Sequence, residues 1–462
     1  MFSIDIYKER REALKKSVGR GLILFLGNEE VGMNYSDNTY HFRQDSTFLY
    51  FFGLDKPGLA ALLDIDEDVE ILLGNEPTID DIVWMGTQPS LGEIAEQTGI
   101  NKVESLALLE TVVKRSVAKG QTVHYLPPYR SDAIIRLSAI LNIPCARVKE
   151  QASVSLIKAV VNQRSYKSAF EVAEINKAVN ISNEMHLAAI RHSKQHVSEK
   201  SVAGLIEGMA LSAGGNLAYP VIYTVNGQTL HNHPTANRLK KGQLVLCDCG
   251  AETDMHYAGD LTRTFPVDQR FTGVQKEVYE IVLKAEEAAA DALKPGVRFL
   301  DIHHLACRHL VDGLKQLGLM KGDSEEAVSQ GAHTLFFQCG LGHMMGLDVH
   351  DMEDLGEQYV GYSEDMIKST EFGLKSLRLG RKLEPGFVLT VEPGLYFIPE
   401  LMDSWKAENR LANFINYEKL NAFRDFGGIR VEENFLITDA GSQLLGEPLI
   451  KSVADIEGVY RG

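Results

Sequence analysis

No apolar run in this sequence approaches the ~20 residues that a helix needs to cross a bilayer, so no membrane span is expected. Cysteine is scarce: five in 462 residues, at Cys145, Cys247, Cys249, Cys307 and Cys339. An odd, dispersed set of this kind is not a disulfide framework and fits reduced thiols in a cytoplasmic protein. Positive charge is also in deficit, with 47 Lys and Arg against 63 Asp and Glu and a formal net charge of −16. That balance argues against nucleic acid or an anionic membrane as the main partner. The opening stretch MFSIDIYKERREALKK is charged and amphipathic and lacks the apolar centre of a secretory signal. Repeats and low-complexity tracts are absent as well.

What is present is a soluble composition with enough apolar residues, 44%, for sizeable cores. The length implies two domains. We place them at 1–160 and 161–462, an α/β domain followed by an α+β domain, with the change near Asn162. In the first, GLILFL from Gly21 reads as a buried strand, and AALLDIDEDVEILL from Ala60 as a hairpin turning at Asp66–Asp68. The aromatic stretch TYHFRQDSTFLYFFGL, with its Arg43–Asp45 cluster, reads as a strand with a polar turn. In the second, a Ser168–Glu171 capping box opens a helix whose apolar spacing runs through Phe170, Ala173, Val179 and Met185. Thr272 with Gln275 opens another, which Pro295-Gly296 stops. Between them, QLVLCDCGAE and HYAGDLTRTFPV form a β-hairpin.

Five acid and imidazole residues in the second half carry the chemistry: Asp248, Asp260, His343, Glu392 and Glu432. Each lies in or beside a strand-like apolar segment, where a lone carboxylate is costly unless paired or metal-bound. Four carboxylates and one imidazole suit a pair of hard divalent cations, and paired metals activate water for hydrolysis. Thr262, two residues past Asp260, faces the same side and can orient a ligand carboxylate. Cys247 and Cys249 flank Asp248, point away from it on a strand, and read as packing residues. The glycines of CGLGHMMGLDVHD let backbone approach a site closely, and Pro393 holds Glu392 extended. Arg430 shares a strand face with Glu432, where it would brace the carboxylate or meet the substrate.

The ordered motifs DCG…YAGDLTRTFP, GLGHMMGLDVHD, LTVEPGLYF and GGIRVEENFLIT resemble the proline-specific metallopeptidases of the pita-bread fold, aminopeptidase P and Xaa-Pro dipeptidase (prolidase). The resemblance covers nearly the whole chain. It implies a creatinase-like N-terminal domain, a pita-bread catalytic domain, and hydrolysis of the bond before proline. It also implies a dinuclear centre, commonly manganese, with cobalt, iron and zinc as alternatives. Asp260 and Glu432 would bridge the ions, Asp248 serve one, and His343 the other, with Glu392 completing the second site and shuttling the proton. Two further histidines near the scissile bond map to His231 and His350, with His233 competing for the first. The interval from Asp248 to Asp260 is one residue longer than is usual in the family, and we place the extra residue in the turn around Glu252 to Met255.

The stretch GLKSLRLGRKLEPG and the long segment FIPELMDSWKAENRLANFINYEKLNAFRDFGGIR are similar to those of prolidase, in which an arginine matching Arg378 captures the free carboxylate of a dipeptide. DNTYHFRQDSTFLYFFG resembles aminopeptidase P instead. We lean to the dipeptidase, with the aminopeptidase acting on longer peptides as the alternative. Trp84 matches a tryptophan that reaches a neighbouring subunit's site in relatives, so a homodimer is expected; a buried core tryptophan is the competing reading. Methionine aminopeptidases lack the N-terminal domain, and creatinase-type enzymes lack the metal set. A non-enzymatic binding module of the same fold would have lost the ligands that this sequence retains.

Overall fold

The computed structural model describes residues 1–267 and 270–459. They form two compact units, one of Met1–Arg164 with Met352–Tyr359, the other of Ser165–Asp351 with the chain from Val360 onward. The expected division at 160/161 differs in assigning Met352–Tyr359, a short segment deep in the second half, to the second domain.

The first unit is built on a five-stranded mixed sheet in the order Lys102–Ser105, Val69–Gly74, Ala60–Asp64, Leu22–Leu26, Val123–His124. The hairpin read from the sequence pairs Ala60–Asp64 with Val69–Gly74, and Asp68 takes the left-handed turn position. Leu22, Leu24, Leu62, Leu73, Val113 and Leu137 make its core.

The aromatic stretch was expected as a strand and is a helix, Ser46–Phe52. All seven of its residues are buried, so its apolar pattern shows neither a period of two nor one of 3.6. The ends decide instead. Asp45 caps the first turn by accepting from the Phe48 N–H, and Gly53 closes the last turn in the left-handed conformation.

The second unit begins with the long helix Ala169–His192, opened by the Ser168–Glu171 capping box. Its buried face carries Ile175, Ala178, Val179, Ser182, Met185 and Ala189. Phe170 and Ala173, expected on that face, are exposed, because the inward stripe starts at Glu171 and Glu174. The helix capped by Thr272 spans Gly273–Asp291, and Phe299–Gln316 packs beside it.

Three small antiparallel sheets hold the centre of this unit. Leu244–Asp248 lies between Ile222–Thr224 and Thr262–Pro266. Val388–Val391 pairs with Glu433–Thr438, and Gly394–Tyr396 with Gly428–Arg430. A single bridge, Thr262 to Glu432, ties the first to the chain between the other two, and one from Met344 to Leu389 holds the His343 loop against the second. The long segment from Pro399 forms the helix Pro399–Ala407 and buries Met402, Trp405, Phe414 and Leu420 in the main core, so it is part of the folded unit.

Candidate metal centre

Strand register decides which carboxylates meet. Asp248 ends its strand opposite Thr262, so Asp260, two residues back on the partner chain, lies on the same side. The turn between the two acids is closed at Thr253–His256, where the His256 N–H donates to the Thr253 carbonyl. Close approach is enforced upstream: a Cβ on Gly250 would sit 1.8 Å from the Gly259 carbonyl oxygen. In the second sheet Val391 faces Glu433, which sets Glu392 and Glu432, each one residue beyond that pair, opposite each other. Gly342 lets the loop of His343 lie against this sheet, since a Cβ there would meet the Thr390 carbonyl at 2.1 Å.

Asp248, Asp260, His343, Glu392 and Glu432 line one cavity of about 400 Å³, within the range of small-ligand sites. Donor atoms of Asp260, His343 and Glu432 all lie within 4.8 Å of one another. His343 Nδ1 is 3.0 Å from the Met344 carbonyl, which can only accept, so Nδ1 carries the proton. That leaves Nε2 facing Asp260 at 3.3 Å and Glu392 at 3.5 Å. An imidazole so oriented by a backbone carbonyl is the usual state of a metal-ligating histidine.

Several side chains hold the carboxylates in place. Thr262 Oγ1 donates to Glu432 at 2.7 Å, as the sequence spacing suggested for a supporting donor. Tyr219 donates to Asp260 at 2.5 Å, and the amide of Asn434 accepts from the Asp260 N–H at 3.0 Å. Thr390 Oγ1 lies 3.2 Å from the His343 N–H and 3.4 Å from Glu392. The buried Arg263 donates to the Glu432 carbonyl and pairs with Glu433. Sequence reasoning missed Tyr219, Thr390 and Asn434. Tyr219 is marked only by its position beside the site; Thr390 stands two residues from Glu392 and Asn434 two from Glu432, the spacing that singled out Thr262.

Arg430 was expected either to brace a carboxylate or to meet substrate. Each of its three nitrogens has a protein partner: Nη2 Asp248, Nη1 Tyr396 at 2.8 Å, and Nε Thr262 at 3.1 Å. It lines the cavity and braces Asp248, the first of the two expected roles. Trp84 lies on the helix Ile79–Met85 of the first unit and is 84% exposed, which overturns the buried-core alternative. His231, His233, His350 and Arg378 do line the cavity. His231 and His233 are both exposed at its rim, so geometry does not choose between them. The His350 ring stands edge-on to His343 with centroids 4.3 Å apart.

Without cations this group of charges is under stress. Burial pushes Asp248 and Glu432 above the usual carboxylate range, and neighbouring carboxylates add to the shift. Burial likewise pushes Glu392 up to about 7. Burial opposes charge on Asp260 too, but contact with His343 outweighs it and holds Asp260 low. His343 is raised in turn: its desolvation is overcome by Asp260 and Glu392. Asp248 Oδ1 is buried without a hydrogen-bond partner. An orphaned carboxylate oxygen beside three more acids and an imidazole fits hard divalent cations of either one or two sites.

Residues 173–439 match the model of metallopeptidase family M24, and residues 7–125 that of the aminopeptidase P N-terminal domain. Xaa-Pro dipeptidase from Homo sapiens is 32% identical, over 98% of this chain and 91% of that protein. A probable Xaa-Pro aminopeptidase from Blastomyces gilchristii is 31% identical, over 94% and 86% respectively. The structure of aminopeptidase P from Escherichia coli with the inhibitor Pro-Leu superposes with a TM-score of 0.81 at 27% identity, over 100% of this chain and 98% of that one.

Proposed function

The chain belongs to metallopeptidase family M24, and from that premise we propose that it hydrolyses the peptide bond preceding proline, with Xaa-Pro dipeptides as its preferred substrates. The observation that carries this reading is the shared cavity. Arg378 lines the same space as the four carboxylates and His343, where its guanidinium would receive the free carboxylate of a dipeptide in a bidentate contact.

Asp248, Asp260, His343, Glu392 and Glu432 would hold two divalent ions, manganese in our reading, which supply a Lewis acid and a water of lowered pKa when bound. Thr390 and the strand end position Glu392 to accept the proton of the attacking water and pass it to the proline nitrogen as the bond breaks. A carboxylate raised toward neutrality suits that exchange. His350 and either His231 or His233 would donate to the carbonyl oxygen as negative charge develops there. Proline lacks the backbone N–H that general peptidases engage, so the site has to grip the rest of the substrate, and Arg378 does so.

Arg378→Ala is therefore expected to lower kcat/KM for Xaa-Pro dipeptides about 100-fold, or about 3 kcal/mol, with much less effect on Xaa-Pro-Yaa tripeptides. Side-by-side kinetics on metal-loaded enzyme give the answer. Faster tripeptide turnover by the unaltered enzyme would turn the assignment to the aminopeptidase, the activity named for the Blastomyces gilchristii relative.

We assign a homodimer on a separate observation. The helix Ile79–Met85 exposes Ile79 at 73%, Val83 at 71%, Trp84 at 84% and Met85 at 74%, an apolar patch of the kind that marks a protein interface. Sedimentation should show a dimer at micromolar concentration that Trp84→Ala weakens at least tenfold; a monomeric parent protein would refute the assignment. Among the described residues no helix is long and apolar enough to cross a membrane.

A further inference from the structure

Away from the acidic cavity, three side chains with softer donor atoms meet in the core of the second unit. The helix Phe299–Gln316 carries His303 and Cys307 one turn apart on its buried face, with Cys307 Sγ 3.5 Å from His303 Nε2. The short helical turn Ala332–Leu335 brings His333 against them, its ring centroid 6.4 Å from that of His303 and steeply inclined. One donor atom from each of the three lies within 4.8 Å of the other two. His303 is 1% exposed, Cys307 0% and His333 4%. Nδ1 of His303 and Nδ1 of His333 are both buried with no hydrogen-bond partner.

Two buried imidazole rings, each with a nitrogen left unpartnered and one of them meeting a buried thiol through Nε2, are not what a packed core settles on. Buried polar atoms are nearly always paired, and an exception points to strain or to an unseen water or ion. We propose that His303, Cys307 and His333 form a three-coordinate His2Cys site for a soft monovalent d10 cation, Cu+. Thiolate and imidazole are donors that Cu+ favours. Three ligands complete a trigonal shell without a water, and the burial of all three leaves little room for one.

Charge separates Cu+ from Zn2+. One thiolate cancels one positive charge, so the cuprous site is neutral. The groups that act most on His303 and Cys307 are His333, His304, Cys339 and Arg308; the carboxylates Asp301 and Glu325 act on His304, and Glu392 on Cys339. A divalent ion there would leave an uncompensated positive charge in the core. Binding involves no redox change: the Cys307 S–H gives its proton to solvent, the S–Cu bond forms, and each imidazole contributes a lone pair.

The other buried trio, His186, Cys247 and Cys249, is a weaker candidate because His186 Nδ1 already meets the Ser182 carbonyl at 2.9 Å. Its donor set, two sulfurs and one nitrogen, also makes it distinguishable. The proposed site stands independently of the peptidase reading. Occupancy would pin His333 to the helix Phe299–Gln316, ten residues ahead of His343.

The test is an anaerobic titration of manganese-loaded protein with Cu+ buffered by a cuprous chelator. One Cu+ per chain should be retained, with an ultraviolet thiolate-to-copper band and an X-ray absorption signature of one sulfur and two nitrogen neighbours. Cys307→Ala should abolish retention and His333→Phe weaken it at least 100-fold, while Cys145→Ala and Cys339→Ala leave it intact. The spectrum of the unaltered protein decides between the donor sets even if a core variant fails to fold. Two sulfurs per copper, retention no greater than in Cys307→Ala, or equally tight Zn2+ at the same three residues would each overturn the proposal.

Discussion

Asp260→Asn is expected to strip the protein of bound divalent metal and to lower peptidase activity at least 10³-fold, about 4 kcal/mol of transition-state stabilisation. Asp260 faces His343 at 3.3 Å and shares with Glu432 the cluster whose donors lie within 4.8 Å. An amide in its place would offer one neutral oxygen and turn an N–H toward ligands that have to be anionic or neutral acceptors. Backbone contacts to Asn434 are untouched by the change, so the fold should survive. Metal analysis after gel filtration, thermal melting and turnover on one sample would settle the matter. Two retained ions with near-normal turnover would remove Asp260 from the centre.

Removing the metal with a chelator should show the same electrostatics as a pH effect. Glu392, Asp248 and Glu432 have carboxyl pKa values raised by folding. Such groups bind protons in the folded chain that the unfolded chain has released. Their contribution to stability is therefore complete below the unfolded values, about 4.3 for the glutamates and about 3.9 for Asp248, and is lost as pH rises through the folded value, about 7 for Glu392. His343, also raised, acts in the same direction across a higher window. Metal-free protein should melt at a lower temperature at pH 8 than at pH 5.5, and divalent metal should reverse the difference.

The second large effect is expected from Glu392→Gln. Glutamine keeps the length of the side chain and an oxygen that can accept from Thr390, but it cannot take a proton. General acid–base groups contribute about 10²–10⁴-fold, so kcat should fall by roughly 10³ with KM little changed. The tetrahedral step would lose its proton acceptor while the substrate grip at Arg378 remains. A variant whose kcat stays within about tenfold of the parent would assign proton transfer elsewhere.

Local signals were legible where a few neighbouring residues decide the outcome. The Ser168–Glu171 and Thr272–Gln275 boxes marked helix starts because a cap is satisfied within one turn. The Asp248–Asp260 hairpin was legible because two strand-like segments lie close together in the chain, and they pair as antiparallel neighbours. Where burial is uniform the pattern misleads: Ser46–Phe52 has no polar face to reveal its period, and Phe170 and Ala173 are apolar residues facing out. The contacts of Tyr219 and Asn434 with Asp260 were invisible because they cross the fold, over 41 and 174 residues.

The order and chemical character of Asp248, Asp260, His343, Glu392 and Glu432 were written in the chain, since acids inside apolar strands need a partner whatever the topology. Which atoms face which was settled only by tertiary structure. The bridge between Thr262 and Glu432 joins residues 170 positions apart. The pairing of Val391 with Glu433 sets two carboxylates opposite each other, and Arg430 braces Asp248 from a strand 182 residues away. Strand register has a period of two residues, so a slip of one would turn any of these side chains to the opposite face. No local propensity chooses that register; the packing of the whole core does.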